Sequence, residues 1–326
     1  MKLQPRRFNR GAPLGMSIGT RGMQKNFESR SIRADDKSSD PLFSVVTVVL
    51  NGSNELEKTI LSVINQSFRS FEYIIVDGGS EDGTLTLLKK YDSCIDYWVS
   101  EADTGIYNAM NKGLSFATGM WAIFINAGDL FSDTNILEKV AIEISELPTN
   151  VSLVYGRLNL VDSAGHFVGE IAIPPAKALR QMAYKFAIPH QASFTKTKTI
   201  NEAGGFDESF KIAGDYDLAL RLLAKSDAYF IKNLTVAFML TGGLSADPKH
   251  SLLVLREERK AQKKRGREWP HIFWVLAFAR ASLGRLLRFT IGDDYISNMF
   301  SSMRKRLFFT SRFLRRFKYF KRNERV

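Results

Sequence analysis

One cysteine, Cys94, in 326 residues leaves no partner for an internal disulfide and no thiolate cluster for zinc, which fits a reducing compartment. A lone cysteine of this kind is expected as a small core residue rather than a nucleophile. The chain also lacks an uncharged apolar run of the roughly 20 residues that a bilayer crossing takes. Its C-terminal apolar stretch, 271–289, is interrupted by Arg280, Arg285 and Arg288. Arg6-Arg7 is followed by a segment, Ala12 to Gly19, too short and glycine-rich for an export signal, so the protein is expected to stay in the cytoplasm. No internal repeat is visible. The glycine- and basic-rich phosphate loop expected of a nucleotidyltransferase is missing too, since the first strand is followed by Asn51-Gly52-Ser53-Asn54.

What is present suffices for a folded globular body, because 44% of the residues are apolar and 25% charged. The net charge of +12 is unevenly spread. Residues 256–326 hold 20 Lys and Arg against 6 Asp and Glu, residues 1–40 hold 9 against 4, and 41–255 are left at −7. An acidic middle with a basic tail implies an anionic partner for the tail, either a lipid surface or a nucleic acid.

Residues 1–40, rich in Arg, Gly and Ser and without periodicity, form a basic segment expected to be disordered. From Phe43 strands and helices alternate: strand 44–50, helix 54–66 capped by Asn54, strand 71–76, helix 83–91, strand 96–100, helix 105–117 and strand 121–126. That alternation with short connections predicts an α/β fold, a doubly wound, mainly parallel sheet with helices on both faces. Helix 134–146, a hairpin over 151–173 turning at Asp162-Ser163-Ala164-Gly165, helical segments within 199–226 and a strand at 228–240 complete a domain assigned to 41–250.

Three acids follow apolar runs. Asp77 comes after Tyr73-Ile74-Ile75-Val76, Asp103 after Tyr97-Trp98-Val99-Ser100, and Asp129 after Trp121-Ala122-Ile123-Phe124-Ile125. In an open α/β sheet such strand ends share one edge, so the acids converge on one crevice, suited to ribose, diphosphate and a divalent cation. Read on residue type alone, Asp77 is an Asx-turn residue, Asp103 a helix cap and His190 a hydrogen-bonded bystander.

The segments FSVVTVVLNGSN, IIVDGGSEDGT, SEADTGIYNAMNKGLSFATG and FINAGDL, in that order between about Pro41 and Ser245, resemble the inverting family-2 glycosyltransferases of bacterial surface-polysaccharide synthesis. The resemblance implies a GT-A fold, a UDP- or GDP-sugar donor, a lipid-linked saccharide acceptor and Mg²⁺ or Mn²⁺. It also implies that Asp77 contacts the base or ribose, with Thr47 and Asn51 lining the base pocket. Asp103, Asn111, Lys112 and Asn126 then become nucleotide-sugar contacts, with Lys112 left open between reaching phosphate and pairing with an acid. The acidic cation motif of the family is reduced here to Asn126-Ala127-Gly128-Asp129, which leaves Asp129 as the metal ligand. A single carboxylate is enough for Mg²⁺ when substrate phosphates supply the remaining oxygens. Asp215, in Gly214-Asp215-Tyr216-Asp217, matches the family's general base, with Gly214 in place of the usual acid. Asp217 and Arg221, four apart, read as a helical ion pair, and Asp207 as structural. His190 and Gln191, in Pro189-His190-Gln191, are placed near diphosphate or acceptor.

Residues 251–326 form a basic helical extension on this reading. The stretch from Met303 spaces Phe309, Phe313, Phe317 and Phe320 among Lys and Arg, the pattern of an interfacial amphipathic helix. The extension is therefore expected to bind an anionic membrane surface from the cytoplasmic side, with no nucleic acid as partner. Two alternatives accompany this reading, a catalytically silent GT-A scaffold and a nucleic-acid binder that uses the Phe and Arg tail.

Overall fold

The structure is a computed structural model that describes residues 40–243 and 247–291. β1 (Phe43–Val49), β2 (Phe71–Asp77), β3 (Tyr97–Ser100) and β4 (Trp121–Phe124) lie parallel in the order β3-β2-β1-β4. Every residue of β1, FSVVTVV, is buried, as a parallel strand covered on both faces requires. One face is covered by α1 (Ser53–Ile64), α2 (Thr84–Lys90) and α4 (Ile136–Ser145), which contribute Leu56, Ile60, Val63, Leu88, Leu137 and Val140 to one core. The other is covered by α3 (Ile106–Phe116) and α7 (Gly214–Leu222), whose Tyr107, Met110, Leu114, Tyr216 and Leu218 build a second.

Past β4 the sheet becomes mixed. β8 (Ser193–Lys196) is antiparallel to β4 and to β6 (Val151–Val161), β6 runs parallel to β9 (Asp227–Leu240), and β5 (Leu130–Phe131) is antiparallel on β9. β7 (Phe167–Ile171) folds back on β6 as the expected hairpin. α5 (Pro175–Gln181) and α6 (Thr197–Glu202) complete this half.

Two local expectations change. Asn54 lies inside α1 rather than capping it; Gly52 holds the cap position, and the free Ser53 N–H is taken by Asp82 Oδ2 at 2.9 Å from the following loop. The cap is thus supplied across the sheet edge. Cys94 ends a 3-10 turn, Asp92–Cys94, and is half-buried rather than in the core.

α8 (Ser251–Lys264), placed with the C-terminal extension by the division at 250, packs on the sheet domain. Its Leu252, Glu257, Glu258, Ala261 and Gln262 are buried there. α9 (Ile272–Ile291) is tied to it by Trp274 Nε1, which donates to Leu255 O at 2.8 Å. Among the described residues no helix is long and apolar enough to cross a membrane. The basic stretch beyond Met303 and the segment 1–39 lie outside the described residues.

Candidate active site

The strand order reverses between β1 and β4, and a crevice opens at the carboxyl ends of strands at such a switch point. The register sets Val49 beside Asp77 and Asp77 beside Ser100. Gly78 N–H donates to Val49 O at 2.9 Å and Ala127 N–H to Val48 O at 3.3 Å, so the loops after β1, β2 and β4 are bonded into one edge.

Asp77 forms the floor of that edge. It is fully shielded, and its carboxylate accepts from Ser80 N–H at 3.1 Å, from the Ser80 hydroxyl, and from Ser100 Oγ at 2.6 Å. Asn51 takes a left-handed backbone, φ 51°, donates its N–H to Ser80 Oγ at 2.6 Å and accepts Glu81 N–H on Oδ1 at 2.9 Å. Thr47 is corrected: it is fully buried beneath the edge, donating to Ile125 O at 2.6 Å and bonded to Tyr73 OH at 3.1 Å, so it braces β1 against β4 and does not line a pocket.

Asp103 is half-exposed. Its Oδ1 accepts Gly105 N–H at 2.9 Å, turning the chain into α3, and its other oxygen fills the space beside Gly78 that a Cβ would need. Of the two roles open for Lys112, the acid pair is the one formed, with Glu101 at 3.0 Å and Ala102 O at 3.1 Å. Asn111, expected at the nucleotide sugar, is partly buried and bonds within the protein. Nδ2 donates to Phe206 O at 2.9 Å and Glu208 Oε1 at 2.8 Å, while Oδ1 accepts Phe206 N–H at 2.8 Å.

In the Asn126-Ala127-Gly128-Asp129 loop, Asp129 N–H bonds Asn126 O at 2.9 Å and Gly128 has φ 97°. That left-handed conformation favours glycine and accounts for the missing second acid. Asp129 is 6% exposed, and burial pushes its carboxyl up to about 8 against the N–H groups of Asn126 and Leu240. Asn126 Oδ1 is buried with no partner. A buried carboxyl and an orphaned amide oxygen on one turn fit a hard cation, which prefers oxygen ligands. Among the described residues no group of three or more His, Cys, Asp or Glu is placed to hold one, so any cation here needs oxygens from a ligand.

Asp215 lies in the first turn of α7, near the positive end of the helix, yet burial outweighs that and raises its carboxyl to about 7. Tyr216 N–H donates to its Oδ1 at 2.8 Å, and Tyr107 OH lies 3.5 Å from the same atom while donating to Ile212 O at 2.5 Å. A Cβ on Gly214 would stand 2.7 Å from the Tyr107 ring, so the glycine there is what lets α3 close on α7. His190 stacks on Phe124 at 5.3 Å and shares with Asp215 a cavity of about 30 Å³, room for one water. Burial lowers its imidazole to about 4, keeping it neutral, and its Nε2 has no partner. Gln191 is half-buried beside it. Asp217 and Arg221 form the ion pair expected of them, at 2.8 Å, and Asp207 is bound by Lys264 and Ser209.

Sequence reasoning passed over Tyr107 and Glu257, which bond the segment before Asp215, and Glu258, which bonds the loop before His190. A signal for Tyr107 existed, because glycine in place of an expected acid marks a close approach. None existed for the glutamates, which read as the solvated face of a charged helix.

The model of the family described as glycosyl transferase family 2 matches residues 44–166. A Mycobacterium tuberculosis (strain H37Rv) protein described as an uncharacterized glycosyltransferase is 32% identical over 208 residues, 63% of this chain and 78% of the relative. A PGL/p-HBAD biosynthesis glycosyltransferase of Mycobacterium bovis (strain BCG / Pasteur 1173P2) is 29% identical over 184 residues, 56% and 69% of the two chains. The chain belongs to glycosyltransferase family 2, and it is a glycosyltransferase. Its GT-A fold is shared with S. aureus TarS 1–349, solved with UDP-GlcNAc (TM-score 0.55, 17% identity, 76% of this chain and 73% of that one). It is shared also with the Pyrobaculum calidifontis mannosyltransferase PcManGT, solved with GDP-Man and Mn²⁺ (TM-score 0.56, 15% identity, 82% and 81%).

The geometry at Gly128 generates a prediction. Gly128→Asp, which restores an acid to the loop, is expected to destabilise the protein by about 1–2 kcal/mol, the cost of forcing a side chain into a left-handed backbone. A drop in the thermal midpoint without tighter Mn²⁺ binding is the expected result; tighter binding at unchanged stability contradicts it.

Proposed function

We propose that the enzyme is an inverting transferase that moves one sugar from a UDP- or GDP-sugar to a saccharide acceptor, lipid-linked, in surface-polysaccharide synthesis. The observation that carries this reading is Asp215, a carboxyl held at about 7 that lines one small cavity with His190 and with Phe124 of β4. A general base is most effective when its pKa lies near the working pH. In the proposed step the acceptor hydroxyl oxygen bonds to the anomeric carbon as the bond from that carbon to the diphosphate breaks on the opposite face. The hydroxyl proton passes to Asp215, and the electron pair of the broken bond leaves with the nucleoside diphosphate.

Asn51, exposed, and Asp103, half-exposed, are the groups assigned to the donor, and Asp77 orders the Ser80 and Ser100 hydroxyls beneath them. His190 and Gln191 are assigned to the side where acceptor meets diphosphate. Asp129 and Asn126 Oδ1 are the groups that would hold Mg²⁺ or Mn²⁺, which when bound neutralises charge on the departing diphosphate. The TarS and PcManGT complexes, with UDP-GlcNAc and with GDP-Man and Mn²⁺, support this class of donor and cation.

The acceptor side of the reading is supported by α9. Ile272, Leu276, Leu283 and Leu286 recur along one face and are 57–61% exposed, and the sequence from 256 to 326 that contains them carries a charge of +14. An apolar stripe in a basic setting suits a helix lying on an anionic bilayer, at the inner face of the cytoplasmic membrane.

Three tests follow from these assignments. Donor turnover, found by screening UDP- and GDP-sugars with Mg²⁺ and Mn²⁺, is expected to rise with pH through about 7 as Asp215 ionises, and to fall by about 10²-fold or more in Asp215→Asn, with donor binding kept. Wild-type turnover in that variant removes the assignment. Nucleoside diphosphate is expected to bind more tightly with Mn²⁺ than without, a difference that Asp129→Ala abolishes; full turnover in excess chelator contradicts the cation role. The complete chain is expected to sediment with anionic vesicles, partly released by salt because each basic group near the surface adds about 1 kcal/mol. A chain ending at Glu268 stays in solution and still binds nucleotide. Binding of the complete chain to RNA but not to vesicles overturns this part.

A further inference from the structure

The segment Lys211-Ile212-Ala213 runs into α7 two residues before Asp215, and its backbone is held from a distant helix. Lys211 N–H donates to Glu257 Oε1 at 2.8 Å, and Ile212 and Ala213 N–H donate to Glu257 Oε2 at 2.8 and 2.9 Å. Ile212 is gripped from both sides, since its carbonyl accepts Tyr107 OH at 2.5 Å. The Glu257 residue is 6% exposed. Three successive N–H donors converging on one buried carboxylate make an anion cradle, here filled by a side chain 44 positions or more away in sequence from the segment it holds. The next residue, Glu258, also 6% exposed, accepts Phe186 N–H at 3.1 Å on the loop that leads to His190. Adjacent carboxylates of α8 therefore hold the two segments that carry Asp215 and His190.

We infer that Glu257 is a positioning residue for sugar transfer, fixing the entry to α7 so that the Asp215 carboxylate faces the crevice, with Glu258 steadying the His190 segment. This rests on the proposed role of Asp215 as base. The chemistry makes the position specific. An amide in place of the carboxylate turns one oxygen into an NH₂ donor facing backbone donors, and a methyl group leaves all three without a partner. The charges around Asp215 are those of Glu257 and Glu258 on α8, with Lys185 near Glu258; Tyr107 on α3 and neutral His190 across the cavity face it as well. Asp217 and Arg221 of its own helix pair with each other. The Glu257 charge is one of the influences that raise Asp215, so removing it moves the Asp215 titration to lower pH.

The test uses the full chain and four variants: Glu257→Ala, Glu257→Gln, Asp215→Asn, and Leu252→Ala, which trims the same helix away from the cradle. Turnover is read as nucleoside diphosphate release from UDP-GlcNAc and GDP-Man in parallel. UDP and GDP affinities are measured, and the Asp215 carboxyl is titrated by carbon NMR with Asp215→Asn as assignment, which reads the base without substrate. Glu257→Ala is expected to lose about 10²-fold in kcat, the scale of a misplaced reacting group, and Glu257→Gln less. Both keep nucleotide affinity and show an earlier Asp215 midpoint, whereas Leu252→Ala keeps kcat and midpoint. Equal losses in Leu252→Ala, or a wild-type rate and midpoint in Glu257→Gln while Asp215→Asn is inactive, overturn the positioning role alone. Asp215→Asn at the wild-type rate removes the base and the role of Glu257 with it. Should neither Glu257 variant fold while Leu252→Ala does, the cradle serves folding and the inference is wrong.

Discussion

The closure of α3 on the segment that leads into α7 is the contact on which the site depends. The Tyr107 ring occupies the space beside Gly214, its hydroxyl holds Ile212 O, and Asn108 and Asn111 bind Glu208 and Phe206. The same helix begins directly after Gly105, where the turn that Asp103 makes closes. One rigid element thus sets the separation between the donor edge and Asp215. A displacement reaction needs its groups held in near-attack geometry, and a helix eleven residues long, packed on β1 and β2, resists the small shifts that would undo it.

Holding carboxyls out of water has a cost in stability that runs in a definite direction. In an unfolded chain Asp129 and Asp215 ionise near 4, but burial delays them to about 8 and about 7 in the fold. Between those limits the folded state binds more protons than the unfolded one. Stability contributed by the two groups is therefore complete at low pH and falls as pH rises from about 4 toward 7 and 8. The ionised forms that the proposed chemistry uses are the ones the fold tolerates least, a conflict typical of functional sites.

Strand and helix periodicity made the elements from β1 to α4, the β6–β7 hairpin, the helical segments around α6 and α7, and β9 legible, because a strand covered on both faces and a helix with one apolar stripe each leave a pattern in sequence; the short β5, α5 and β8 leave none. Side-chain partners across the fold leave none. Thr47 follows the same alternation whether it lines a pocket or, as here, braces β4 from beneath the edge. Asn111 and Lys112 sit in a motif whose resemblance pointed to ligand, while their bonds go to Phe206, Glu208 and Glu101. In α8 the sequence showed a charged helix of the basic extension and no partner for its acids, yet Glu257 and Glu258 are turned inward onto backbone N–H groups. The glycine at 128 was visible as a departure from the family pattern, but only the left-handed turn gives its reason.

The arrangement of α7, α8 and α9 bears on how an acceptor confined to a lipid surface would reach the base. α8 holds the entry to α7 through Glu257 and holds α9 through Leu255 O and Trp274. Tyr184, close in sequence to His190, stacks on His271 and meets Phe273 at a tilt at the start of α9, with ring centroids 5.0 and 5.3 Å apart. The exposed stripe of α9 is accordingly separated from Asp215 and His190 by one helix and one short loop. If α9 lies on the bilayer as proposed, the acceptor saccharide needs to rise only by the thickness of that layer, while the donor edge beyond α3 stays open to nucleotide sugar in solution. The charge distribution favours the same orientation, since the −7 of residues 41–255 is repelled by the anionic surface to which the +14 of residues 256–326 is drawn.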